Sequence, residues 1–184
     1  MALHNTHYEY QKDLERVWKN AVRRYKAEKP NGPDFFKAEE LAFLAGIGLT
    51  GQEMFDYAED YSRGGDPDFA NVAAVTDIRR SYFLEVQKGK PTGKTMNMAT
   101  LPPKDAEVNG IKWLPRLIVK ARAKLAGELD PDIMYGCGGD RNFFRTCDVH
   151  PAEFLRVVQN HPRSDAPIVA WLEKRRNAAA KAAE

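Results

Sequence analysis

Arg79 interrupts an apolar stripe. Val72 and Val75 precede it by seven and four residues, and Tyr82, Phe83 and Val86 follow by three, four and seven, so helical spacing turns its guanidinium toward the core. A buried guanidinium must find acceptors. Two readings supply them: a structural pair with Asp56, Asp60 or Asp77, or a cationic anchor for a ligand carboxylate or phenolate. Upstream, Tyr57, Asp60 and Tyr61 share one helix and can cluster near one mouth, where a tyrosine polarises a phenol or alcohol and a partly buried Asp acts as base if its pKa rises. A solvated acidic face with two packed tyrosines is the structural alternative. Downstream, the glycine-rich stretch from Tyr135 to Gly139 is either a plain turn or an anion cradle made of backbone N–H groups. Asp140 and Arg141 beside it either cap the next helix or, for Arg141, hold a substrate. His150, at a helix start, is a capping residue or a general base. The candidate set is therefore Asp60, Tyr61, Tyr82 and His150 for proton transfer, with Arg79, Tyr57 and Arg141 for substrate binding.

What is missing narrows the chemistry. His4, His7, His150 and His161 include no H-x-x-x-H pair, and the chain has no G-x-G-x-x-G, no Walker A and no G-x-S-x-G. Cys137 and Cys147 are ten residues apart with no C-x-x-C, which reads as two reduced thiols rather than a disulfide framework or zinc site. The expectation is no metal and no cofactor, hence acid–base catalysis. Phenolic substrates suit that restriction, because an ionised para-hydroxyl can push electrons into the ring or side chain and allow elimination or retro-aldol cleavage.

The elements that must position these groups are helical. Thr6 and Glu9 spell a capping box, and Tyr10, Leu14, Val17, Trp18, Ala21, Val22 and Tyr25 predict a helix to about Lys29, stopped by P-N-G-P. A second helix follows Asp34 and ends near Gly46. A third opens on the Thr50/Glu53 capping box and closes at Gly64-Gly65. A fourth runs from about Asp68 to Gln87. Residues 89–110 are rich in Pro, Gly and polar side chains and read as a loop or linker. Beyond it, Leu114, Leu117, Ile118, Ala121 and Leu125 mark a helix, D-I-M-Y-G-C-G-G-D a turn, Asp148 the cap of a helix over H-P-A-E-F-L-R-V-V-Q-N, and Pro167 the start of the last. No segment alternates with period two over six residues. The fold class is all-α: residues 1–88, a loop or linker over 89–110, and residues 111–184 packed with the first part as one domain.

With 43% hydrophobic and 29% charged residues, the chain has the mixture of a soluble globule rather than a disordered one. Lys and Arg number 28 against 26 Asp and Glu, a net +2 too balanced for a nucleic-acid or polybasic membrane surface. The first residues never reach an apolar run, which predicts no signal peptide, and no stretch approaches the roughly 20 apolar residues of a membrane span. Cytoplasmic localisation follows.

One stretch carries a resemblance. F-K-A-E-E-L-A-F-L, five residues, then T-G-Q-E, followed by the acidic D-Y-A-E-D and Gly64-Gly65, resembles the small-subunit signature of the LigA family, the α subunits of protocatechuate 4,5-dioxygenase and related extradiol ring-cleaving enzymes, over residues 34 to 65. In that family iron is held by the large subunit, so the resemblance implies an aromatic substrate class and, as one alternative, a non-catalytic α subunit with a dioxygenase partner. A helix-turn-helix reading of the same stretch fails because Glu53, Asp56, Glu59 and Asp60 would face phosphates with Arg63 alone opposing them. Residues 111 to 158, with L-P-R-L-I-V-K-A-R-A, are similar to an uncharacterised bacterial domain-of-unknown-function family that brings no activity. The leading expectation is a lyase-type enzyme on a phenolic aromatic, acting alone or as a homodimer. The alternatives are the dioxygenase subunit and a helical interaction module.

Overall fold

Tyr10, Leu14, Val17, Trp18, Ala21, Val22 and Tyr25 form the buried face of α1 (Tyr10–Glu28), as their spacing requires. The computed structural model describes residues 7–182, so the Thr6 half of the expected first capping box lies outside the described residues, as does His4. Glu9 is itself the N-cap and makes no side-chain cap bond. A 3-10 turn at Pro33–Phe35 delays α2 to Ala38–Gly46. The Thr50/Glu53 capping box opens α3 (Gly51–Gly64), and Gly65 ends it at φ +74°. Asp68 accepts from the Asn71 N–H at 2.9 Å to start α4 (Phe69–Glu85).

Residues 90–97 have no regular structure, but the rest of the expected loop is partly ordered. A 3-10 turn spans Met98–Thr100, and a hairpin pairs β1 (Glu107–Val108) antiparallel to β2 (Ile111–Lys112). Asn109 and Gly110 at φ +51° and +70° make its two-residue turn, a conformation this dipeptide adopts readily. Strands of two residues are too short for alternation to register, which is why the sequence reading lacks them. Then come α5 (Leu114–Ala126), α6 (Gly138–Thr146), α7 (Pro151–Asn160) and α8 (Ala166–Ala182). The described residues are thus all-α apart from this hairpin.

The helices share two apolar clusters. Leu14, Val17, Leu44, Met54 and Val72 belong to the first, with α1 packed on α3. Val75, Ile78, Leu117, Ile118, Phe154, Leu155 and Ile168 belong to the second, with α4, α5 and α7 in mutual contact. Helix α4 gives residues to both, so the division after residue 88 does not separate the cores. Val86, expected on the stripe, lies beyond the end of α4 and is 56% exposed, while Ile78 takes a core position instead.

Glu40 and Glu53 complete the capping boxes of α2 and α3 and also hold bases. One Glu40 oxygen accepts from the Lys37 N–H at 3.0 Å and from Arg24 at 2.6 Å. Desolvation would raise this carboxyl, but the Arg24, Lys37 and Asn20 hydrogen bonds outweigh it and hold it below the usual range. Glu53 accepts from the Thr50 N–H at 2.9 Å with one oxygen and from Lys124 of α5 at 2.5 Å with the other. Lys124 is fully buried and Glu53 nearly so, and their bond ties α3 to α5.

Candidate functional site

Helix α3 ends at Gly64, the Asp66-Pro67 turn leads into the first turns of α4, and the Cys147–Val149 turn leads from α6 into α7. These segments enclose a cavity of about 330 Å³. Pro67, Val72, Val75, Phe144 and Val149 make its apolar walls, and Tyr57, Asn71, Arg141, Arg145, Asp148 and His150 are among the polar groups that line it. A concave apolar site with a few convergent polar groups is the usual form of a small-molecule pocket.

Its charges are arranged by one arginine. Arg141 donates to Asp60 of α3 at 2.7 Å, to the Gly136 carbonyl at 2.7 Å, and from Nε to Asp66 at 2.8 Å. Arg145, one turn on, also pairs with Asp66. Tyr135 donates to the Pro151 carbonyl at 2.7 Å, closing the floor. Burial pushes the Tyr57 phenol up from its ordinary value and the Tyr135 phenol well above it, so both stay protonated at neutral pH; the Tyr57 oxygen meets the buried Lys124 side chain of α5, and the residue contributes to the cavity wall.

His150 is the N-cap of α7. Its Nδ1 accepts from the Ala152 N–H at 3.1 Å, so the neutral ring carries its proton on Nε2. Of the two places expected for it, capping residue or general base, His150 takes the cap, and Nε2 is its free ring nitrogen. It also displaces Asp148 as the cap of α7. Asp148 instead sits at φ +51°, a left-handed conformation Asp tolerates, and lines the cavity.

Of the seven candidate residues, Tyr57, Arg141 and His150 line this cavity, and Asp60 touches it through Arg141. Tyr61 is turned away, its ring 4.8 Å from that of Trp18 with Lys26 5.6 Å from its centroid. Tyr82 is half-buried against the second apolar cluster. Arg79 is 2% exposed, as the stripe requires, yet its acceptors are none of the three aspartates considered: it donates to the Leu125 carbonyl at 2.9 Å and to Gln87 at 2.7 Å. Asp77 accepts from Tyr10 at 2.6 Å instead. The Arg79 cation thus sits at the C-terminus of α5, where the helix dipole favours positive charge. Gly127 has φ +68°, and a Cβ there would collide with the guanidinium. Arg79 and Tyr82 are therefore not in the cavity.

Sequence reasoning missed Asp66, Asn71, Arg145 and Asp148. The one available signal was Arg141 and Arg145 at helical i, i+4 spacing. Asp140, expected as a possible cap, lies in the first turn of α6, fully buried, and accepts from the Gly136 N–H at 2.9 Å as well as from Lys120 at 2.5 Å and Trp113 at 2.9 Å. Across the start of α6 lies a second, more open cavity of about 560 Å³ lined by Asp56, Trp113, Lys120 and Cys137. Burial, opposed by a Gln52 hydrogen bond and reinforced by Glu53, Glu59 and Asp60, pushes the Asp56 carboxyl up to about 6. Cys137 and Cys147 are both free thiols. Among the described residues no helix is long and apolar enough to cross a membrane.

Residues 101–184 match the family described as "Domain of unknown function (DUF5069)". The match begins in the segment before the hairpin and takes in α5 to α8, including the L-P-R-L-I stretch. No curated protein and no solved structure matches the chain.

Proposed function

We propose that the chain binds a small phenolic aromatic in the 330 Å³ cavity and acts on it by cofactor-independent, lyase-type acid–base chemistry. The observation that carries this reading is a pocket with apolar walls whose cations are matched by carboxylates: Arg141 and Arg145 are met by Asp60 and Asp66. Such a pocket suits a ring with one or two hydrogen-bonding groups better than a polyanion. His150, through Nε2–H, is the donor for a phenolate or carbonyl oxygen. Asp66 is held by two arginines, which leaves Asp148 as the cavity carboxylate able to take a proton. The resemblance of residues 34 to 65 to LigA-type subunits supports the same substrate class.

The test is incubation of the pure protein, with a chelator present, against a panel of phenolic acids, aldehydes and arylglycerol compounds, with calorimetry for binding and mass spectrometry for products. Binding at micromolar Kd with turnover supports the full reading. His150→Asn, which keeps a cap on α7, should weaken binding about 3- to 10-fold, the worth of one neutral hydrogen bond, and Asp148→Asn should lower kcat by about 100-fold or more with Kd little changed. Binding without turnover until an extradiol large subunit is added would favour the α-subunit role. No binding below millimolar concentration ends the proposal.

A further inference from the structure

The second cavity plays no part in the chemistry above, yet it holds a nucleophile in a built setting. Cys137 is the N-cap of α6 and lines this cavity. Its Sγ lies 3.3 Å from Lys120 Nζ. Lys120 is 2% exposed, and its ammonium also donates to Asp140, which Trp113 and the Gly136 N–H fix in place. A buried pair of this kind contributes little net stability compared with apolar side chains of similar volume. What it does here is hold an ammonium against a thiol that opens on a cavity.

The surroundings select a ligand. Phe55, Ile133 and Met134 give apolar wall, and the charges are mixed: Asp56, Glu59, Asp60 and Asp132 line the cavity beside Lys104, Arg116 and Lys120. Gly138 and Gly139 line the cavity too, and the first N–H groups of a helix have no intrahelical partner. Gly139 is needed for the approach of Trp113: a Cβ would come within 2.6 Å of its ring. A nucleophilic sulfur, donors for a developing oxyanion and room for an organic skeleton occur together.

We propose that Cys137 captures a small α,β-unsaturated carbonyl compound in this cavity by conjugate addition. The sulfur bonds to the β-carbon, the C=C π bond breaks, and its electron pair moves onto the carbonyl oxygen as an enolate. The proton lost by the thiol returns to the α-carbon, so nothing is oxidised or reduced. The Lys120 ammonium stabilises negative charge on sulfur during the attack, and helix N–H groups stabilise the enolate. The four carboxylates of the lining favour acceptors without a negative charge.

The experiment treats the folded, full chain at pH 7 with N-ethylmaleimide or monomethyl fumarate and follows adducts by intact mass and peptide mapping, with N-acetylcysteine as the reference thiol. Cys137 should react with N-ethylmaleimide at least tenfold faster than the reference, while Cys147, 4% exposed, stays unmodified. The anionic fumarate should gain less over the reference thiol than the uncharged maleimide does. Lys120→Met should slow both tenfold or more. Because it strands Asp140 without its cation, Lys120→Met/Asp140→Asn is measured beside it. The parent comparison needs no variant and decides by itself: reaction of Cys137 no faster than the reference thiol overturns the proposal, as does an unchanged rate in a folded variant lacking Lys120.

Discussion

Glu53→Gln isolates a buried charge. Lys124 is fully buried and its ammonium meets the Glu53 carboxylate at 2.5 Å, whereas Glu53 retains 11% side-chain exposure and also caps α3. Glutamine keeps the cap, since the motif accepts Glu or Gln. The variant therefore removes mainly the counter-charge, and stranding a buried ion costs about 3–5 kcal/mol. For a chain of this length that lowers Tm by roughly 6–20 °C. Lys124→Met/Glu53→Gln should recover most of the loss and lie within about 1.5 kcal/mol of the parent, because an apolar side chain of similar volume replaces the ion. Urea unfolding of parent, both single variants and the double variant, with m held common, gives a coupling energy of about 2–3 kcal/mol. If Glu53→Gln costs less than about 1 kcal/mol, or the single effects simply add, the two side chains are not the junction between α3 and α5 described above.

Arg79→Met should cost about 1.5–3 kcal/mol in urea unfolding, through loss of its charge-assisted bond to the Leu125 carbonyl, and leave the affinity of any ligand of the 330 Å³ cavity unchanged; a change in affinity at constant stability would return Arg79 to the binding site. Asp56 is held up from 3.8 to about 6, so the folded chain binds its proton more tightly than the unfolded chain, and its contribution to stability is full at low pH and falls as pH rises from about 4 to 6. At 1.36 kcal/mol per pKa unit, discounted for partial solvation, that is about 1–2 kcal/mol. Asp56→Asn should be more stable than the parent by that amount at pH 8 and equal to it near pH 4, and parallel pH–stability curves would refute the shift. Limited proteolysis should cut first within residues 88–95, which are exposed and lie before the Met96 N–H bond to the Glu128 carbonyl; first cleavage inside any helix would contradict this.

Helix existence and type were legible where capping and periodicity agreed. The Thr50/Glu53 box, the Gly65 stop and the start of α4 near Asp68 stand where the sequence placed them. Arg79 shows the limit of the same reasoning. Spacing established that it is buried, but a guanidinium accepts no instruction from sequence on whether its acceptor is a carboxylate or the carbonyl end of a helix 46 residues away. His150 was rightly placed at a helix start, and only the Ala152 N–H bond reveals which ring nitrogen remains available. Tyr57, Arg141 and His150 converge because α3, α6 and α7 meet, a tertiary fact that no local pattern carries. Tyr61, four residues from Tyr57, is drawn off by Trp18. The Lys120–Asp140 pair was invisible because two polar residues on amphipathic helices look like solvated positions until their helices are packed.

Helix α4 shows one face to each apolar cluster, and the ribosome makes the two sides of that arrangement at different times. Helices α1 to α3 are complete when Val72 emerges, so the first cluster can close at once. Val75 and Ile78 must then wait, wetted, until Leu117 of α5 and Phe154 of α7 have been synthesised. A nascent chain arrested near residue 88 would carry an uncovered stripe and self-associate, while one started at residue 101 would lack the helix its own apolar groove is shaped to hold. The stretch that matches a family is, in this chain, a late-arriving partner for a helix already in place.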